Sequence, residues 1–305
     1  MRLRHTIKVT LLLGMFFVSM VSPSPLQSQE ILTPSSQLVS EEGVTMSLYF
    51  DALKQGRVGL IGITGNTENP QATVFERPLN FFQVPGNEGW FSLIVASIDQ
   101  SPRTYEIRIS YTIEGNEQSL SAPFEVVNGG FVQQNVIVVG EGNELLNREI
   151  EDAELQHIFD LAKPITPIVY WQDKPFGHPV DTELTSPFGA QRVFNGLYDT
   201  LHTGWDYNAP TGKPFVASAP AQVAFAGHMD IRGNYVLLDH GYGIYSGYAH
   251  LSVIYVTQGQ LVDAGQIIGL VGTTGRSSSA HAHFEMLVDT LWVDSTDFIN
   301  MPLPH

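Results

Sequence analysis

Three short runs hold residue types that chemistry can use: His202-Thr-Gly-Trp-Asp206, Tyr248-Ala-His250-Leu251 and His281-Ala-His283-Phe-Glu285. The chain has ten histidines and no cysteine, so thiolate metal sites, Cys nucleophiles and disulfides are excluded and any metal must use imidazole and carboxylate. On a strand, His281 and His283 project to one face roughly 6.5–7 Å apart, too far to share one ion easily and suited to one ligand beside one base. Gly204 is expected to let the backbone turn so that His202 and Asp206 converge. Together, His202, Asp206 and His283 make a set of two neutral imidazoles and one carboxylate. That set would hold one zinc ion and leave the fourth position open to water, as in a catalytic site and unlike a closed structural one. The sequence lacks the His-Glu-x-x-His run whose Glu acts as general base, so a spare histidine must take the proton, and His281 and His250 are the candidates.

Around these residues stand several supporting candidates. By alternation Glu285 shares a face with His283 and is expected to orient its imidazole. Tyr248, two residues before His250, is expected to share that histidine's face, either against substrate or in the core. Arg192, Asn195 and Trp205 could line a groove. His240, in Asp-His-Gly-Tyr-Gly, reads as a turn or packing residue, and His157, His178, His228 and His305 carry no chemical assignment.

The elements that must position these residues fall into two bodies, giving an all-β, two-domain reading. Between residues 31 and 139, β-rich runs alternate with turn signals: Val44 to Leu53, Arg57 to Thr64, Trp90 to Ile98, Tyr105 to Glu114, Gln118 to Val127 and Val132 to Val139. Tyr105, Ile107, Ile109, Tyr111 and Ile113 recur at period two, as a half-buried strand requires, and the whole suits an immunoglobulin-like β-sandwich of unassigned role. Residues 140–180 read as a helical and Pro-rich connector. Asn143 to Ala162 has helical apolar spacing with Asn143 as a candidate N-cap, and Pro164, Pro167, Pro175 and Pro179 forbid further regular helix. A connector lying across the groove near Trp171 to His178 would be autoinhibitory. From 181 to 305 a second all-β body has candidate strands at Phe215 to Ala219, Gln222 to Ala226, Tyr235 to Asp239, Ile244 to His250, Gln266 to Val271 and His283 to Val288.

Composition narrows the partners. The 305 residues are 43% hydrophobic, with 15 Lys plus Arg against 31 Asp plus Glu and a formal net charge of −16. That is ample for packed cores, and it repels phosphate backbones and anionic bilayers, so no nucleic-acid partner is expected. Arg2, Arg4 and Lys8 precede an apolar run from Val9 to Val21 and the small, Pro-containing stretch Ser22 to Ser28, so residues 1–29 read as a signal peptide, with an uncleaved anchor as the alternative. The remainder is expected to be secreted or to lie in the cell envelope, without stable membrane insertion after cleavage.

The ordered series Phe188-Gly189, Arg192-Val-Phe-Asn195-Gly, His202-Thr-Gly-Trp-Asp206, Ala209-Pro-Thr-Gly212, Leu238-Asp-His240-Gly-Tyr-Gly243, Tyr248-Ala-His250-Leu, Gly265-Gln-Ile-Ile-Gly269-Leu-Val-Gly272 and His281-Ala-His283-Phe-Glu285 resembles the lysostaphin/LytM-type zinc endopeptidases, the duplicated-hybrid-motif family. The resemblance runs from Ser186 to about Asp297. It implies an antiparallel sheet with a long groove, metal ligands at His202, Asp206 and His283, and water-activating or oxyanion-stabilising histidines at His250 and His281. It also implies an exported metalloendopeptidase acting on stem or cross-bridge peptides of peptidoglycan. A catalytically silent relative that binds in its groove and activates another wall hydrolase is the alternative. Ala282 stands where the family commonly has Leu, and no wall-binding repeats accompany the series.

Overall fold

The alternation at Tyr105 to Ile113 builds a long strand with Ile107, Ile109 and Tyr111 buried and Glu106, Arg108 and Ser110 facing outward. The computed structural model describes residues 33–83, 89–137, 144–171, 176–196 and 198–304. The expected signal peptide, the candidate cap Asn143 and His305 lie outside them. One five-stranded sheet has the order β1 (Ser36–Val39), β2 (Thr45–Leu48), β4 (Arg57–Thr64), β8 (Gly89–Ala96) and β7 (Phe81–Gln83). A second has the order β3 (Ala52–Lys54), β10 (Asn116–Val127), β9 (Arg103–Ile113), β5 (Glu68–Val74) and β6 (Arg77–Pro78). Their inner faces share a core that includes Met46, Ile61, Ile63, Ile94, Ile107, Ile109 and Phe124.

The first sheet is apolar on both faces, because β4 and β8 send alternate residues each way. Ile61 and Ile94 face the sandwich core, whereas Leu60, Phe91, Leu93 and Val95 join the main core of the C-terminal sheet. Phe82 stacks on Tyr242 with ring centroids 3.9 Å apart, and Arg57 pairs with Asp297 at 2.5 Å. The described residues fall within one compact unit, so the two sequence-defined bodies are two sheet systems that share a core.

The C-terminal sheet has ten strands. Its main path is β12 (Leu184–Ser186), β15 (Gly204–Tyr207), β22 (Ala282–Val288), β19 (Ile244–Ile254), β18 (Gly233–Gly241), β17 (Ala221–Met229) and β20 (Leu261–Val262). Beside it, β16 (Pro214–Val216) pairs with β21 (Ile267–Val271), β21 also pairs with β19, and β23 (Leu291–Val293) pairs with β22. The short α2 (Ser295–Phe298) follows. In β22, Ala282, Phe284, Met286 and Val288 enter the main core, while Leu287 packs on the opposite face with Ile158 and Ala162 of α1 (Arg148–Ala162). That helix starts later than the spacing suggests. Its N-cap is Asn147, whose side chain accepts from the Glu149 N–H at 2.9 Å.

The expected sandwich strand Val132 to Val139 is corrected. As β11 (Gln133–Val136) it pairs in parallel with β13 (Gln191–Phe194), and β13 pairs with β14 (Tyr198–Leu201), forming a small separate sheet. Of the segment expected to lie across the groove, Trp171 and Phe176 are buried in the main core, where Phe176 packs on His240 and Phe298, and residues 172–175 lie outside the described ones.

Candidate metal and catalytic site

On the face of the C-terminal sheet that α1 partly covers lies a cavity of about 460 Å³. Its lining includes His202, Asp206, His250, His281 and His283, with Gln134 to Val136 of β11 and Glu151 and Leu155 of α1. The segment expected to be a connector therefore supplies part of its wall.

Neighbouring strands place the acidic and basic groups. Asp206 of β15 stands opposite His283 of β22 in an antiparallel pair. His202 sits just before β15, its backbone N–H donating to Ala190 and its carbonyl accepting from Gly189. His202 Nε2, Asp206 Oδ1 and His283 Nδ1 form a triangle with edges of 2.9 to 3.0 Å. Among the described residues these three ligand atoms form a metal-capable group. His202 Nδ1 lies 2.7 Å from the Pro187 carbonyl and His283 Nε2 lies 3.1 Å from Glu285 Oε2. Neither partner can donate, so both of those nitrogens carry the proton, assigned from the hydrogen-bond network. Three acceptor lone pairs then point at one another. That arrangement is repulsive unless a cation sits among them, and ligand atoms around a tetrahedral zinc stand roughly 3.4 Å apart. The residues therefore fit one ion.

The same logic fixes the two other histidines. His250 Nδ1 donates to the Thr274 carbonyl at 2.8 Å and His281 Nδ1 to the Ser279 carbonyl at 2.7 Å, leaving both Nε2 atoms as acceptors. His281 Nε2 stands 3.6 Å from Asp206 Oδ1, and the rings of His250 and His281 are 4.8 Å apart. Burial pushes the His202 imidazole down to about 4, partly opposed by Asp206. Burial, then the neighbouring His281 and His283, holds His250 well below its usual value, and burial also lowers His281. For Asp206, burial works upward but His202, His283 and Arg192 outweigh it and hold the carboxyl well below the usual range. His283 goes the other way, because Asp206 and Glu285 outweigh burial and raise it. Away from an ion, the site is thus a carboxylate among imidazoles of unequal basicity.

The supporting candidates separate. Glu285 is fully buried and bonded to His283. Arg192 hydrogen-bonds Asp206 Oδ2 and, at 2.8 Å, Ser186 Oγ, which keeps Asp206 Oδ1 turned to the ligand triangle. Tyr248 does not share the face of His250. His250 has φ +60°, next to register shifts on both sides of β19, and this left-handed residue turns its ring onto the cavity side. Tyr248 stays in the main core, its hydroxyl accepting from the Ser218 N–H at 2.8 Å. Asn195 is at φ +51° in the β13–β14 turn, and Trp205 hydrogen-bonds Asp294 at 2.8 Å; neither lines the cavity. His240 lies within β18, fully buried.

Gly204 plays a different part from the expected turn. It lies in β15 opposite Glu285, and a Cβ there would stand 2.3 Å from the Phe284 carbonyl oxygen and 2.9 Å from Glu285 Cβ. On the other side, Gly247 of β19 also faces Glu285, where a Cβ would meet Tyr235 Oη at 2.1 Å and Glu285 Cγ at 2.8 Å. Both cross-strand neighbours of Glu285 are glycine, which opens space for its carboxylate. Sequence reasoning missed Arg232, Thr203 and Tyr235, which fill that space; a lone Arg between turn residues gives no periodic signal.

The model of Peptidase family M23 matches residues 200–295. Over 127 residues the chain is 40% identical to the DD-carboxypeptidase/endopeptidase Mpg of Neisseria meningitidis serogroup B, covering 41% of this chain and 29% of that protein. Over 114 residues it is 41% identical to the peptidoglycan DD-endopeptidase ShyA of Vibrio cholerae serotype O1, covering 36% of this chain and 26% of that protein. The chain thus spans less than a third of the length of these curated relatives. A crystal structure described as a peptidase M23 from Pseudomonas aeruginosa aligns with a TM-score of 0.60 at 24% identity, over 82% of this chain and 95% of that one, a likeness of fold.

Proposed function

Because residues 200–295 belong to peptidase family M23, we propose that this chain is an exported zinc-dependent endopeptidase that hydrolyses peptide bonds in the stem or cross-bridge peptides of peptidoglycan. What carries this reading is the triangle of His202 Nε2, Asp206 Oδ1 and His283 Nδ1, with His250 and His281 beside it and both of their Nε2 atoms open. The name of the Vibrio cholerae relative points to the same substrate class, and that of the Neisseria meningitidis relative to an endopeptidase. Residues 31–139, as a sandwich packed on the peptidase sheet, have no chemistry assigned to them in this reading.

Zinc held by His202, Asp206 and His283 would supply Lewis acidity at the scissile carbonyl and lower the pKa of an attacking water. The chain's own groups do the rest. Arg192 fixes the second oxygen of Asp206, and Pro187 and Glu285 fix the tautomers of the ligating imidazoles. His250 and His281 rest as proton acceptors, so the step open to them is removal of the water's proton and its delivery to the leaving amine. Once protonated, either imidazole can donate to the oxyanion of the tetrahedral species.

The test is incubation with purified peptidoglycan, with and without a zinc chelator, followed by mass spectrometry of the released fragments. Chelator-sensitive release with new amino termini is expected and names the bond. An intact wall in the presence of zinc-loaded protein would overturn the enzyme reading in favour of a groove-binding regulator.

A further inference from the structure

Helix α1 lies outside the segment that the family model covers, yet one of its carboxylates reaches a ligating histidine through two intermediates. Glu154 is 8% exposed. Its Oε2 accepts from the Ile231 N–H at 2.7 Å, and its Oε1 accepts from the Arg232 N–H and from Arg232 Nη1, both at 3.1 Å. Held on that side, Arg232 presents Nε to Glu285 Oε1 at 2.7 Å and Nη2 to Glu285 Oε2 at 2.9 Å. Tyr235 and Thr203 donate to the same carboxylate at 2.7 and 2.5 Å. Glu285 in turn accepts the Nε2 proton of His283 at 3.1 Å.

All four of Glu154, Arg232, Glu285 and His283 are buried, so each charge depends on its neighbour and not on water. Removing Glu154 would orphan two backbone N–H groups and one guanidinium arm in the interior. The guanidinium would then be free to turn from its two-point grip on Glu285.

We propose that Glu154 is a positioning residue for the metal site, acting through Arg232 and Glu285 to hold His283 with Nε2 protonated and Nδ1 free for an ion. The assignment makes α1 a working part of the site. It rests on the zinc-enzyme reading only for the identity of the ion.

The test uses the full chain and three variants, Glu154→Gln, Glu154→Asp and Glu151→Gln. Glu151 sits on the same helix and is 5% exposed, but it holds Arg276, Tyr198 and Thr200, so it reports loss of helix docking without touching Arg232. The readouts are zinc affinity by competition with a chromophoric chelator and the His283 Nε2 proton by nitrogen-15 NMR of the metal-free protein. Glu154→Gln should weaken zinc binding by about 10- to 100-fold and lose the protected Nε2 proton. It should also lower kcat with little change in KM. Glu154→Asp, which keeps the charge, should restore part of both losses, and Glu151→Gln should leave zinc affinity unchanged. Wild-type affinity in Glu154→Gln, or equal losses in Glu154→Gln and Glu151→Gln, would overturn the proposal. If Glu154→Gln does not fold, Glu154→Asp decides: a partial loss of both readouts supports positioning and wild-type values overturn it. If the wild type binds no zinc, the enzyme reading falls while the NMR readout still decides: a proton protected in wild type and lost in the variant supports positioning, and one kept in both ends it.

Discussion

At the scale of single residues, His202, Asp206 and His283 bring one donor atom each to a common triangle, while His250 and His281 stand beside it with Nε2 free of the carbonyls that hold their Nδ1 atoms. Replacing His283 or Asp206 with Ala removes one corner of the donor triangle, and two remaining donors hold zinc poorly. Either variant should fold, lose zinc in elemental analysis and fail to release fragments from purified wall. His281→Ala should instead keep its zinc and hydrolyse about 10²- to 10⁴-fold more slowly, the usual span for loss of a general base. A wild-type rate in that variant would move the role to His250. That His202, Asp206, His250, His281 and His283 would meet at one place was legible in the sequence, because His and Asp have few reasons to recur in such short motifs. The orientation of Tyr248 was not, because strand alternation fails at the left-handed His250 and a bulge leaves no mark in residue type. Gly204 was visible as a glycine, but its reason, close contact with a neighbouring strand, needs the register to be known.

At the scale of elements, β15, β22 and β19 carry Asp206, His283 and His250, with His202 and His281 just before β15 and β22, and β11, β13 and α1 line the cavity around them. Gly247→Ala would drive a methyl group into Tyr235 Oη and Glu285 Cγ, both inside the buried network that orients His283. The expected outcome is a destabilisation of about 1–3 kcal/mol in denaturant unfolding, together with weaker zinc binding. The same substitution at Gly259, where a Cβ meets nothing within 4 Å but φ is +85°, should cost stability and leave zinc affinity alone. Most strands of the C-terminal sheet from Phe215 onward were legible from β-branched runs and turn glycines, whereas the short β20 and β23 were not. Those before Phe215, β12 to β14, are short, polar and half-exposed, so period-two reasoning had little to hold. Helix α1 was legible as a helix, but its partner was not. The pattern of Ile158 and Ala162 says only that some apolar face awaits them, and that face proves to be the sheet carrying the site.

At the scale of the whole molecule, the sandwich and the C-terminal sheet are expected to unfold together. Leu93 is 2% exposed and lies in the core that both share. Leu93→Ala should lower stability by about 2–5 kcal/mol while leaving one transition, seen as coincident fluorescence and circular-dichroism curves. Two separated transitions would show that the halves fold apart. A second reporter sits at the same junction, where Arg77 of β6 donates to the Asp289 carbonyl at 2.7 Å and Asn80 donates to the Asp289 side chain at 3.1 Å. Burial pushes the Asp289 carboxyl from 3.8 up to about 6, against the opposing pull of Asn80 and Arg77. Between those two values the folded chain binds more protons at this group than the unfolded chain does. The stability it contributes is therefore complete below about pH 4 and lost as pH rises through about 6. Asp289→Asn keeps the acceptor for Asn80 and tolerates the residue's φ of +49°. It should stabilise the protein at pH 7 by on the order of 1–2 kcal/mol, allowing for solvent screening. That gain should shrink steadily as the pH of the denaturation experiment is lowered from 7 to 4, because the wild-type carboxyl becomes neutral over the same interval. A difference between the two proteins that stays constant over the interval would place the Asp289 carboxylate in water and remove it from the junction's energetics.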